Sequence, residues 1–205
     1  MDFPTTYAIL GVTCVVTFIA LNNPKLLDAL ILWPPAITRD RDVHRLATYG
    51  LVHADGAHLL FNMITLYFFG TAMERFFDRE LGSLGFLFFY VSALVASALP
   101  SYLRHRDDPD YRTLGASGAV SAVLFAFILL DPWAKLYLYF AVPIPALVFA
   151  VAYTAYSVYM NHRGGDRVNH NAHLAGAAYG VLFTVAMEPG VLASFLSRLM
   201  SPSFL

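Results

Sequence analysis

The sequence predicts an all-α membrane protein of six transmembrane helices, and three observations predict it. Of 205 residues, 58% are hydrophobic and only 13% are charged, whereas a soluble globular chain carries about 25% charged residues. Cutting the chain at every Asp, Glu, Lys and Arg leaves six uncharged runs of at least 18 residues, at 3–24, 56–73, 81–103, 113–130, 136–162 and 168–187. A helix rising about 1.5 Å per residue needs roughly 20 apolar residues to cross about 30 Å of hydrocarbon, so each run is a spanning candidate. Helix breakers then fall at the run ends: Asn22-Asn23-Pro24, Asp131-Pro132, Arg163-Gly164-Gly165 and Glu188-Pro189-Gly190. No repeat or attached soluble module is evident, so residues 1–205 read as one membrane domain.

Taken in order, the first run has Asp2 where a signal peptide carries positive charge, and reads as a span. The connection at 25–55 is the longest. With Trp33-Pro34-Pro35 and an apolar stretch at 29–32, it suits the membrane interface better than water. The second run carries His58 and Asn62, four apart and therefore on one helix face. The third is plain. The fourth opens Gly115-Ala116-Ser117-Gly118, and the fifth is rich in tyrosine: Tyr137, Tyr139, Tyr153, Tyr156 and Tyr159. Aromatic belts at the lipid interface account for that enrichment. The sixth holds His173, Gly176 and Gly180.

Composition excludes several classes. Thirteen Lys and Arg against fourteen Asp and Glu leave no basic surplus for nucleic acid. A single cysteine, Cys14, forms no internal disulfide and no thiolate cluster. His-Glu-x-x-His and paired intramembrane aspartates are both missing from the sequence. The expectation is therefore no metal and no cofactor.

Polar residues inside spans are costly and mark function by default. Ser117 is the fifth residue of its run and His173 the sixth, so both lie roughly 6–8 Å below the same surface. His58 and Asn62 bracket that depth, and the three helices run in the same direction. Gly176-x-x-x-Gly180 and the Gly118-Ala119-Ala122 face would let two helices approach closely. A serine and a histidine brought together this way form a nucleophile and its base. Asn62, His58 and the Ser117 backbone N–H, in a first helical turn, are candidate donors to an oxyanion, and Gly115 permits the turn before the serine. Each motif alone also has a plain reading: small residues for helix packing, and His58 and Asn62 as interhelical hydrogen-bond partners.

Together the residues resemble the rhomboid family of intramembrane serine proteases. The resemblance rests on His58-Leu59-Leu60-Phe61-Asn62, Gly115-Ala116-Ser117-Gly118 and Ala172-His173-Leu174-Ala175-Gly176, in that order, and extends from about residue 40 to 187. It implies a six-transmembrane-helix rhomboid-like bundle with Ser117 as nucleophile, His173 as general base, and His58 and Asn62 in the oxyanion hole. Gly115, Gly118, Gly176 and Gly180 would shape the site. Transmembrane protein substrates and membrane lipids become the expected partners, with no nucleic acid and no metal. A catalytically silent scaffold that binds membrane clients is the alternative, and a small transporter or proton channel using His58 and His173 a third. The family works with a dyad, so Asp166 is not needed as a third member.

Two positions depart from the family pattern. Some members carry an aromatic residue four positions after the serine, packed on the base; here it is Ser121, so another residue must orient His173. His44 replaces a common tryptophan, while Arg45 is retained. His53 resembles a loop histidine of some relatives, and reads either as cavity lining or as a solvated loop residue. The resemblance also implies the inner membrane of a bacterium, with the site opening to the outer face. The cations oppose this: Arg75, Arg79, Lys135 and Arg198 lie on the side of the termini, and the other nine Lys and Arg, Arg167 among them, on the site side. The positive-inside rule would put that second side in the cytoplasm.

Overall fold

The computed structural model describes residues 3–138, 141–165 and 168–201; Tyr139, Asp166 and Arg167 lie outside them. Each of the six uncharged runs contains a helix, but the boundaries move. Helix α1 (Pro4–Leu21) ends at Asn22, and Pro24 opens the next helix rather than closing the first. The 25–55 connection is not an irregular loop. It holds α2 (Pro24–Leu30), α3 (Pro34–Arg39), α4 (Arg45–Thr48) and a tight turn at Tyr49–Leu51. Proline at the first position suits α2 and α3, because the missing N–H is one a helix start leaves unpaired. Arg45, 7% exposed, ties this segment together. Its guanidinium donates to the carbonyls of Asp28 (2.5 Å) and Ile31 (3.0 Å) and pairs with Asp42 (3.1 Å).

The second run continues well past Met73. Helix α5 (Gly56–Thr65) passes through a wider turn at Leu66–Gly70 into α6 (Thr71–Leu81) without a break. The charged residues that end the run do not end the helix. One of them, Glu74, is 2% exposed; its carboxylate accepts from the backbone N–H groups of Thr5 (2.9 Å) and Thr6 (2.8 Å) and so caps α1. Helix α7 (Gly85–His105) follows.

Helix α8 (Ser117–Leu130) begins at the serine, four residues into its run, and buries ten of its fourteen residues. Residues 135–145 correct the all-α expectation: β1 (Lys135–Leu138) and β2 (Val142–Pro145) form an antiparallel hairpin, and α9 (Ala146–Arg163) starts only after it. Pro143 and Pro145 are the reason, since neither offers the N–H a helix interior needs. Helix α10 (His170–Met187) completes the set, and α11 (Gly190–Leu199) turns away from it by 115°.

By length and apolar composition alone, α1 and α7 can each cross a bilayer, and α10 joins them if it is counted with α11 as one bent span. Helix α8 is apolar but short, spanning about 21 Å at 1.5 Å per residue.

The core sits where α8 meets α10 and α7. A Cβ on Gly176 would overlap the Gly118 carbonyl, and one on Gly180 would overlap the Ala122 carbonyl. Both glycines are therefore required by backbone-to-backbone contact, the close approach expected of small-xxx-small faces. On the far side, Phe77 of α6 stacks on Phe89 of α7 (4.2 Å between centroids), with Phe183 of α10 against both (5.6 and 5.2 Å).

Candidate active site

Three helix N-termini converge at one level. Asp55 caps α5, its carboxylate accepting from the His58 N–H at 2.8 Å, which places His58 in the first turn and Asn62 one turn below. Asn169 caps α10 by accepting from the Ala172 N–H at 3.1 Å. Its amide also donates to Ser101 Oγ (2.9 Å) on α7 and to the Tyr111 hydroxyl (3.1 Å), so the entry angle of α10 is fixed from two sides. His173 is the fourth residue of that helix.

The segment before α8 is equally constrained. Thr113 and Leu32 exchange two backbone hydrogen bonds, 3.0 and 3.1 Å, and the Gly115 N–H donates to the Tyr49 carbonyl at 2.9 Å. Gly115 has φ +110°, and a Cβ there would meet the His58 ring at 2.5 Å; only glycine satisfies both conditions. The Ala116 N–H then donates to His53 Nε2 at 3.3 Å, and Ser117 opens the helix.

The result is a short contact between elements 56 residues apart. Ser117 Oγ lies 2.7 Å from His173 Nε2. Both side chains, with His58 and Asn62, line one cavity of about 510 Å³. Asn62 has one amide hydrogen on the His58 carbonyl (2.9 Å), which leaves its second hydrogen for a ligand. Gly118, Gly176 and Gly180 lie away from the cavity, at the α8–α10 crossing. Among the described residues no group of three or more His, Cys, Asp and Glu could hold a metal ion.

Several residues the sequence left aside prove structural neighbours of the site. His53 is 1% exposed, so the solvated-loop reading is wrong: its Nδ1 lies 3.1 Å from Thr17 Oγ1, and its ring meets that of His58 edge-on at 4.9 Å. Burial first, and then the charge of His58, push its pKa down to about 4. His170, the first residue of α10, is also buried. Tyr153, grouped with the lipid-facing tyrosines, instead lines the cavity, while Tyr137, Tyr156 and Tyr159 are exposed as the belt reading expects. Asn169 was legible as a cap, a polar residue just before a periodic apolar run. Nothing in the sequence separates Tyr153 from its neighbours.

A half-buried serine within hydrogen-bond distance of a histidine, at the head of an apolar helical bundle, points to a class: an integral membrane protein with a polar Ser–His contact in the wall of a cavity. The rhomboid domain family matches residues 40–189, and the chain belongs to the rhomboid family. It is 35% identical over 163 residues to RHOMBOID-like protein 12, mitochondrial, of Arabidopsis thaliana, covering 72% of this chain and 47% of that protein. To Rhomboid protease GlpG of Haemophilus influenzae it is 35% identical over 124 residues, 58% of this chain and 60% of the relative. The matches thus span about half of the one relative's length and three fifths of the other's.

Proposed function

We propose that this chain is an intramembrane serine endopeptidase that hydrolyses peptide bonds in or near transmembrane segments of membrane proteins, using Ser117 and His173. The 2.7 Å contact between Ser117 Oγ and His173 Nε2 in the wall of a cavity carries the reading. Ser117 attacks the scissile carbonyl and its proton passes to His173. The Ser117 N–H, the His58 ring and the free Asn62 amide hydrogen donate to the oxyanion. His173 then protonates the leaving amine, an acyl-enzyme remains, and water drawn through the cavity hydrolyses it with His173 again as base.

On this reading the chain is one membrane domain over 1–205 that crosses the membrane six times, through α1, the continuous α5–α6 rod, α7, α8, α9 and α10. The N-termini of α5, α8 and α10 face one side, where the site opens. The setting is a multi-pass protein of a bacterial inner membrane with membrane lipids around it. Support comes from family membership, from the apolar helices and from the Haemophilus relative, whose name is that of a protease.

Purified protein in detergent, treated with a fluorophosphonate serine probe, tests this. Wild type is expected to label, and Ser117→Ala and His173→Ala each to lose labelling by about 10³-fold or more. His58→Ala and Asn62→Ala should still label but lose about 10²- to 10³-fold in peptide cleavage, as removal of one oxyanion donor does. Labelling that survives Ser117→Ala would put the nucleophile elsewhere. No labelling of folded wild type would favour the client-binding scaffold.

A further inference from the structure

The proposed base needs its ring plane fixed as well as its Nε2 position. The contact with Ser117 places Nε2, and the terminal torsion of a histidine is broad. The structure brings a second ring against it from α9. Tyr153 stacks on His173, with centroids 5.9 Å apart and planes 24° from parallel, within the range of favourable offset pairs. His170 approaches the same imidazole edge-on, at 6.0 Å and 80°, so the stacked face belongs to Tyr153.

Tyr153 is itself held at both ends. Its hydroxyl lies 2.7 Å from Ser121 Oγ, and its ring stacks on Phe149 (5.6 Å, 24°) and tilts against Phe125 (5.8 Å). Ser121 is 5% exposed and sits one turn below Ser117 on the same face of α8. Nucleophile and anchor thus share one helix, while the base and the ring that orients it stand on two others.

Resting on the proposed dyad, we propose that Tyr153 is the positioning residue for His173 and that Ser121 is its anchor. Where some relatives place an aromatic ring four residues after the serine, this chain divides that role between two helices, α9 supplying the ring and α8 the hydroxyl that holds it. The alignment of the base then depends on where α9 stands. That helix buries only Ala146, Ala150 and Ser157.

The test compares Tyr153→Leu, Tyr153→Phe and Ser121→Ala with wild type, in fluorophosphonate labelling rate and in cleavage of a transmembrane reporter peptide, with thermal melting as the control for folding. Tyr153→Leu is expected to lower labelling and kcat by about 10- to 100-fold, as a small misplacement of a catalytic group does, with KM nearly unchanged. Tyr153→Phe keeps the ring but loses the anchoring hydrogen bond, as Ser121→Ala does, so both should fall between wild type and Tyr153→Leu. Loss in Tyr153→Phe as deep as in Tyr153→Leu would make the hydroxyl the reacting group and overturn the proposal. A rise in KM with kcat and labelling intact would make Tyr153 a wall of the substrate site, and would also overturn it. If Tyr153→Leu fails to melt cooperatively, Ser121→Ala decides: an unchanged labelling rate refutes the anchor. Wild type that does not label overturns the dyad and this inference together, whereas wild type that labels no faster than Tyr153→Leu overturns this inference alone.

Discussion

His53 Nε2 accepts from the Ala116 N–H at 3.3 Å, and its Nδ1 faces Thr17 Oγ1 at 3.1 Å, whose own hydroxyl is 3.0 Å from the Leu51 carbonyl. With Thr17 donating to that carbonyl, Nδ1 must carry the proton and Nε2 must not. Protonating His53 would aim a second N–H at the Ala116 N–H, immediately before Ser117. Burial and the neighbouring His58 lower its pKa to about 4 from 6.5, with Asp55 opposing. The folded state therefore binds fewer protons than the unfolded chain between these values, and stability is lost as pH falls from 6.5 towards 4. The loss is at most about 3 kcal/mol, since each pH unit between the two values is worth about 1.36 kcal/mol. Melting in detergent across pH 4 to 7 should show this slope. His53→Gln, which can still accept from Ala116 without titrating, should flatten it. An identical slope in that variant would place the acid sensitivity in another group.

At the scale of elements, the α8–α10 crossing decides whether a dyad exists. Gly176 and Gly180 face carbonyls of Gly118 and Ala122 with no room for a Cβ, so a methyl there must push two backbones apart. Gly176→Ala is expected to destabilise by about 1–3 kcal/mol, the range for overpacking, and to lose most fluorophosphonate labelling, because His173 lies one turn away. Gly11 of α1 has nothing within 4 Å of its missing Cβ. Gly11→Ala should leave labelling untouched and stabilise by about 0.5–1 kcal/mol through helix propensity. Equal effects at 11 and 176 would refute the crossing as the positioning element. This crossing was legible in the sequence, as were the matched depths of Ser117 and His173, because helical rise is fixed and small residues declare close packing. The hairpin at 135–145 was not, since a run without charges looks the same whether helix or strand fills it; Pro143 and Pro145 were the available warning. The extension of α5 through Glu74 to Leu81 escaped for the opposite reason: a charge ends an apolar run without ending a helix. Tyr153 escaped because an aromatic residue on α9 gains its role only from Ser121 and His173, 32 residues before it and 20 after.

For the whole molecule, the direction of insertion sets which compartment the cavity serves. On the six-span reading nine of thirteen Lys and Arg fall on the site side, and a plain count would turn that side inward. Among the described residues, four of these cations are engaged by the protein itself. Arg45 is buried on two carbonyls and Asp42; Arg106 pairs with Asp107 at 3.3 Å; Arg112 stacks on Trp33 at 4.8 Å and approaches Asp28 at 3.9 Å; and Arg163 lies over Tyr159 at 5.9 Å. Fewer cations on that side thus stand clear of protein partners than the count implies, and outward insertion carries correspondingly less cost. The expectation is a site that opens outward. In a Cys14→Ser background, a membrane-impermeant maleimide added to intact cells should label Asp107→Cys, between α7 and α8, and should reach Ser83→Cys, between α6 and α7, only after lysis. The reverse pattern would return the orientation to the cation count and assign the cavity to substrates cut on the inner face.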